Sequence, residues 1–398
     1  MSWPSNNASH VNGCKRPMTN SASPTTTETL PNTGLIGRVL PSQDIRQLVS
    51  KGSIHGVEAI IEEQIQPASL DLRLSSKAYR IRASFLPGRS ANVEEKIAEF
   101  AMHEIDLRNG AVLEKGCVYL VQLMESLDLD NSITALANPK SSIGRLDVFT
   151  RLITDRSGEF DRVQAGYRGP LFAEVAPLTF SIVVRKGDRL SQLRLKHGSP
   201  TLAEPGLADM HTKLAQQLPS GEQPVRGAIP VTVDTRGQGK SALIGYKAKK
   251  YAPLIDIRLI DHYDPQDYWE PIHASRGFGL VLIPDDFYIL ASKEPVVVPP
   301  DHAAEMVAYD TLVGEFRVHY AGFLDPGFGD PSGGGAGSKV VLEVRSHEVP
   351  FMLEDGQIVG RLIYEKLATL PDKLYGGNIG SSYQSQGLQL SKQFRRQR

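Results

Sequence analysis

Phe172-Ala173-Glu174-Val175 returns 169 residues later as Val341-Leu342-Glu343-Val344. Each is an apolar run of strand length with one carboxylate set inside it. The same interval separates Tyr119 from Tyr288, Glu125 from Glu294 and Gly187 from Gly356. Val184-Arg185-Lys186-Gly187 parallels Leu353-Glu354-Asp355-Gly356, and Leu193 and Leu195 parallel Leu362 and Tyr364. A register held constant over about seventy residues points to an internal duplication.

Outward from that core the pattern is β throughout. Leu70–Leu74, Val118–Leu123, Ile133–Leu136, Leu171–Val175 and Ile182–Val184 are short runs rich in Val, Ile, Leu and Tyr. Turn signals such as Leu86-Pro87-Gly88 and Lys186-Gly187-Asp188 separate them. Long amphipathic helical patterns are scarce, and one short helix is expected after Pro41, with Ser42 as its N-cap. The expected fold class is all-β, a sandwich or distorted barrel of jelly-roll type, in two tandem copies with few short helices. Residues 1–34 are rich in Ser, Thr, Asn and Pro and read as a disordered tail. The first copy is expected over 35–218, a polar linker over 219–227, the second copy over 228–370, and a C-terminal tail over 371–398.

Composition narrows the function. Among 398 residues, 44 basic side chains face 45 acidic ones, so there is no polybasic signature for nucleic acid. Two cysteines, Cys14 and Cys117, form no disulfide framework, and they indicate a reducing, cytoplasmic compartment. Without a Cys-x-x-Cys pair, the zinc route to base deamination lacks its ligands. No run approaches the roughly 18 apolar residues of a membrane helix, and the N-terminal stretch lacks the apolar segment of a secretory signal.

Chemistry concentrates in Asn138-Pro139-Lys140-Ser141-Ser142-Ile143-Gly144-Arg145. A lysine point charge, an arginine fork and two hydroxyls at a strand end suit a polyphosphate. Gly166-Tyr167-Arg168-Gly169 follows, leading into Glu174. Burial in that apolar run would raise the carboxylate's pKa toward the range of a general base.

Lys-Ser-Ser-x-Gly-Arg, then Gly-Tyr-Arg-Gly-x-x-x-x-Glu, then Gly187-Asp188 and Gln192 together resemble the dCTP deaminase branch of the dUTPase superfamily. Gln66–Leu74 resembles that branch's first core strand, and Ser382-Tyr383-Gln384-Ser385-Gln386-Gly387 its nucleotide-closing tail. The double-length layout resembles a long form of the same branch. The resemblance implies hydrolytic deamination of dCTP to dUTP and ammonia for thymidylate synthesis. Glu174 would be the general base and Arg145 its catalytic partner. Lys140, Ser141, Ser142, Gln192, Tyr383 and Gln386 would hold the nucleotide. Mg²⁺ would arrive with the triphosphate, no zinc would be used, and sites between copies imply a homo-oligomer.

Departures from the branch pattern are specific. Lys140 replaces an arginine, the segment through Asp155-Arg156-Ser157-Gly158-Glu159 is lengthened, and Gln164 stands where related dUTPases hold water with an aspartate. In the second copy Tyr309-Asp310-Thr311 and Gly314 replace the cradle cations, so that half reads as degenerate, with structural roles for Asp325 and Glu343. Leu324-Asp325-Pro326-Gly327-Phe328 nevertheless resembles the superfamily's Asp-Pro-Gly turn, which keeps a dUTP diphosphatase or bifunctional enzyme open as an alternative. A nucleotide-sensing scaffold is the non-enzymatic alternative. Gly333–Gly337 is expected as a flexible hairpin loop and Gly237–Ser241 as a surface turn.

Overall fold

The computed structural model describes residues 37–198, 228–237, 242–275, 279–307, 317–318, 322–346, 349–376 and 383–396. Leu35–Arg398 forms one compact unit. No helix among the described residues is long and apolar enough to cross a membrane.

In the first half, Leu70–Ile81 runs twelve residues and pairs with Val118–Asp128 on one side and Arg189–His197 on the other. Arg168–Pro177 and Val148–Thr154 extend one flank, and Ile133–Pro139 extends the other. The result is a strongly curved, nearly closed sheet. Alternation sends Leu171, Ala173 and Val175 into the main core, as the period of two requires.

The duplication is visible as register. Ala173 lies opposite Val121 and Glu174 opposite Leu120. Leu342 lies opposite Leu290 and Glu343 opposite Ile289, the same pairing shifted by 169 residues. Tyr119 Oη accepts from the backbone N–H of Glu114 at 2.9 Å, and Tyr288 Oη from that of Ile283 at 3.0 Å. Glu125 accepts from the Arg73 amide at 2.7 Å, and Glu294 from the Thr232 amide at 3.1 Å. Gly187 and Gly356 have φ of +84° and +80°, the left-handed turn conformation that favours glycine. The repeated Tyr, Gly and first Glu are thus fold-forming.

The halves share a core. Tyr246, Trp269, Phe287, Ile289 and Val341 of the second half belong to the same buried cluster as the first half's interior. Val340, Leu342 and Val344, the alternate residues of the same strand, belong to the second half's own core. One strand therefore serves two cores, one on each face. Ile255–Asp256 joins the halves further by pairing in parallel with Ile182–Val183.

Two local expectations are corrected, for Ser42 and for Gly333–Gly337, and one short helix had not been placed. Helix α1, Ser42–Ser50, has Pro41 at its N-cap, and Ser42 is the first helical residue, its hydroxyl bonded to Asp372. Helix α2, Val93–Phe100, has no counterpart in the expected strands; Asn92 caps it, and its first amide donates to Asp155 Oδ1 at 2.7 Å. The Gly333–Gly337 segment is not a hairpin loop, because Phe323–Leu324 before it pairs with His302–Val307 rather than with Ser338–Arg345 after it. It is packed against the tail, where Gln384 Nε2 donates to Gly333 O at 3.0 Å.

Candidate active site

A cavity of about 660 Å³ opens between the halves, within the size range of small-molecule sites. The first half contributes the end of Ile133–Pro139 and the single turn α3, Ser141–Gly144. Lys140, Ser141, Ser142 and Arg145 all line the cavity, together with Asp71, Arg189 and Gln192. The second half contributes Asp325, Glu343, Tyr383, Gln386 and Lys392. The sequence-derived cradle and tail residues therefore converge on one space. Glu174 does not line it.

Arg145 is the centre of the arrangement. It is buried, and its Nη1 donates to Gln389 O at 2.9 Å and Nη2 to Gln386 Oε1 at 3.0 Å. Its guanidinium lies 3.8 Å from the Tyr383 ring centroid, a cation–π contact. Nε stands 3.9 Å from Glu343 Oε1 and makes no hydrogen bond. The tail is thus fixed over α3, and Ser391 Oγ adds a 2.6 Å bond to the Ser142 carbonyl. Phe394 anchors the tail's end in an aromatic cluster with Tyr268 and Trp269.

Glu343 is the carboxylate that faces the cradle. Burial raises its pKa to about 8, opposed by the Arg145 charge and reinforced by Asp147. Asp325 is also buried, with its pKa raised by desolvation, and its Oδ1 is 3.2 Å from Arg194 Nη2. It begins the expected turn, in which Gly327 has φ of +92° and the Phe328 amide donates to Asp325 O at 3.1 Å. Glu343 and Asp325, expected in structural roles, both line the cavity.

On the opposite wall Lys140 is ion-paired with Asp71, and Arg189 Nη1 lies 3.6 Å from the same carboxylate. Lys392 is half-buried nearby, with its pKa lowered by burial and by the Lys140 charge. Lys140, Arg189 and Lys392 gather around the Asp71 carboxylate, a local group of cations suited to a polyanion, in a lining that also includes Glu63, Asp188 and Arg258. Asp71, Arg189 and Lys392 were not anticipated. Asp71 carried the same signal as Glu174, a carboxylate inside an apolar strand.

Glu174 lies instead against Arg151, whose Nη2 and Nε approach at 2.5 and 3.1 Å. Arg151 also donates to Ser84 Oγ at 2.9 Å and lies 3.6 Å from the Phe160 ring centroid. Its strand turns Phe172 and Glu174 away from the main core toward a separate apolar cluster that includes Phe85 and Val93. Within this chain Glu174 and Arg145, both expected as catalytic residues, lie in different places: Arg145 lines the cavity and Glu174 does not. Tyr309-Asp310-Thr311 and Gly314 lie outside the described residues, as do Ser382 and Gln238–Ser241.

Comparison with known proteins follows the same division. The profile of the 2′-deoxycytidine 5′-triphosphate deaminase N-terminal domain matches residues 36–199, and that of the C-terminal domain matches 204–394. The crystal structure of 2′-deoxycytidine 5′-triphosphate deaminase from Agrobacterium tumefaciens is 51% identical, covering 84% of this chain and 99% of that one, with a TM-score of 0.78. A Halobacterium salinarum protein named "dCTP deaminase, dUMP-forming" is 32% identical over 168 residues, 41% of this chain and 79% of that protein. A Kocuria rhizophila protein of the same name is 26% identical over 181 residues, 44% of this chain and 87% of that one. The chain is a member of the 2′-deoxycytidine 5′-triphosphate deaminase family.

Proposed function

We propose that this chain hydrolyses dCTP to dUTP and ammonia in the cavity between its halves, and then hydrolyses dUTP to dUMP and pyrophosphate. The observation that carries the first step is the buried Glu343 carboxylate, 3.9 Å from Arg145 inside the cavity that Lys140, Arg189 and Lys392 also line. Ionised Glu343 takes a proton from water as the water oxygen attacks C4 of cytosine. It then delivers that proton to the amino nitrogen as the C4–N bond breaks, while the proton left on the C4 oxygen passes to N3, so that ammonia leaves and the uracil ring remains. Arg145 stabilises charge on the ring edge and keeps a fraction of Glu343 ionised at neutral pH. With a pKa of about 8, about one tenth would be charged at pH 7, so the base works near its operating range.

Lys140, Arg189 and Lys392 suit the triphosphate with its accompanying Mg²⁺. Ser141, Ser142, Gln192 and Gln386 supply neutral hydrogen-bonding groups, and Tyr383 backs Arg145. Cradle and carboxylate belong to one chain, so the reading requires no second copy to complete this site.

Two facts favour the second hydrolysis. Asp325 lines the same cavity, and several related proteins bear the name dCTP deaminase, dUMP-forming. Asp325 would hold the water that attacks the α-phosphorus. The test is product analysis on purified protein supplied with dCTP and Mg²⁺. Ammonia with dUMP and pyrophosphate is expected, and Asp325→Asn should make dUTP accumulate. Ammonia with dUTP alone from the wild type would reduce the function to deamination. Binding of dCTP without ammonia would turn the reading toward a nucleotide sensor.

A further inference from the structure

Asp147 follows Arg145 by two residues, and Arg345 follows Glu343 by two. Asp147 is fully buried and has φ of +56°. That conformation is uncommon for residues other than glycine, so the surroundings must hold the aspartate there. Its carboxylate is ion-paired with Arg345 and accepts from Thr179 Oγ1 at 2.5 Å. Arg345 Nη2 donates to the same hydroxyl at 2.9 Å, and Nη1 donates to the Asp285 carbonyl. The Asp147 carbonyl in turn accepts from the Leu178 amide at 2.9 Å. A buried, hydrogen-bonded ion pair thus crosses from one half to the other alongside the Arg145–Glu343 contact, two residues further along each segment.

The duplication shows that this pair is not a general feature of the fold. At the 169-residue interval, Ala176 stands where Arg345 does. The arginine occurs in the half whose carboxylate faces the cradle and is missing from the half whose carboxylate faces Arg151.

We propose that Asp147 and Arg345 form a positioning clamp that sets Arg145 against Glu343 across the boundary between the halves. The inference rests on Glu343 being the general base. Arg145 and Glu343 belong to elements anchored in different halves, and their own contact at 3.9 Å is too long to fix their separation. The clamp lies one turn of chain from one and two strand positions from the other, so its geometry is transmitted through short, stiff backbone. A misplacement of about 1 Å at such a contact can cost about a hundredfold in rate. The clamp also contributes charge. Arg145 and Asp147 act on Glu343 in opposite senses, and Arg345 balances Asp147.

The experiment is steady-state deamination of dCTP with Mg²⁺ across neutral to alkaline pH. It compares wild type with Asp147→Asn, Arg345→Lys and the Asp147→Asn/Arg345→Gln double variant, with a thermal melt on each. Asp147→Asn should lower kcat about tenfold or more and leave KM for dCTP within about twofold. It should also move the ascending limb of the pH profile to lower pH, because a negative charge near Glu343 is gone. Arg345→Lys, which keeps the charge, should recover most of the rate. The double variant removes both charges and so avoids a lone buried ion if the single variant fails to fold. A folded Asp147→Asn or double variant with wild-type kcat and an unmoved pH limb would overturn the clamp. Deamination surviving in Glu343→Gln would instead overturn the base assignment on which the clamp depends.

Discussion

Glu174 and Glu343 occupy one position in two copies of a fold, opposite Leu120 and Ile289 respectively. What differs is the surface that each strand face meets. In the second half Tyr246, Phe287, Ile289 and Val341 pack into the first half's core, so Glu343 is carried to the cradle. In the first half the equivalent strand face packs under its own polypeptide: Val118, Leu120 and Phe172 join Phe85, Val93, Phe100 and Phe160. Helix α2 and the lengthened segment after Thr154 provide that cover together. Asp155 accepts from the helix's first amide, and the Arg156 amide donates to Ala91 O at 3.1 Å. A carboxylate in an apolar strand therefore lines a cavity or joins a buried ion pair according to its neighbour, a matter of tertiary packing rather than of local sequence.

The comparison can be broken through its two arginines. Arg145→Met should reduce dCTP deamination by at least about a hundredfold, since it removes the charge that acts on Glu343. Arg151→Met should leave kcat within about twofold, because its partner lies outside the cavity. Steady-state ammonia release on both variants measures the contrast.

The pH dependence sharpens it. The raised pKa of Glu343 means that kcat/KM climbs as pH rises toward about 8. Stability moves the other way. A carboxyl whose folded pKa is raised from 4.5 to about 8 favours the native state fully below its unfolded pKa. That contribution is lost as pH rises through the folded value. Asp161, beside Arg151 in the first half, behaves alike with a pKa of about 7. Melting temperatures should therefore fall between mildly acidic and alkaline pH, and Glu343→Gln should flatten the alkaline part of that fall while leaving the part due to Asp161.

Two smaller effects complete the contrast. Lys140→Met should raise KM for dCTP about tenfold, roughly 1.4 kcal/mol, with a lesser change in kcat, as kinetics on dCTP would show. Arg151→Met, nearly silent in activity, should cost about 1–3 kcal/mol of stability by leaving Glu174 buried without its partner. Denaturant unfolding reads that loss directly.

Much of this was legible in the chain. The 169-residue interval pointed to the duplication, and the strand registers repeat at that interval, because a repeated side-chain pattern imposes a repeated pairing. That Lys140, Ser141, Ser142 and Arg145 cluster on the cavity was legible because they are local, built from one strand end and one turn. That Glu343 rather than Glu174 lines this cavity was not legible, because which half's carboxylate meets it depends on how two similar faces are covered. Val93–Phe100 has an apolar stripe of only Val93, Ile97 and Phe100, too short to stand out as a helix before its packing is known. The Asp147–Arg345 pair spans 198 residues of sequence, and neither member is unusual alone.

The central claim is that the working carboxylate comes from the second half. Ammonia release from dCTP by Glu343→Gln and Glu174→Gln, assayed side by side with Mg²⁺, tests it most directly. The account predicts that Glu343→Gln loses at least about a thousandfold in kcat while Glu174→Gln stays within about threefold of wild type. Loss in Glu174→Gln with activity kept in Glu343→Gln would contradict it.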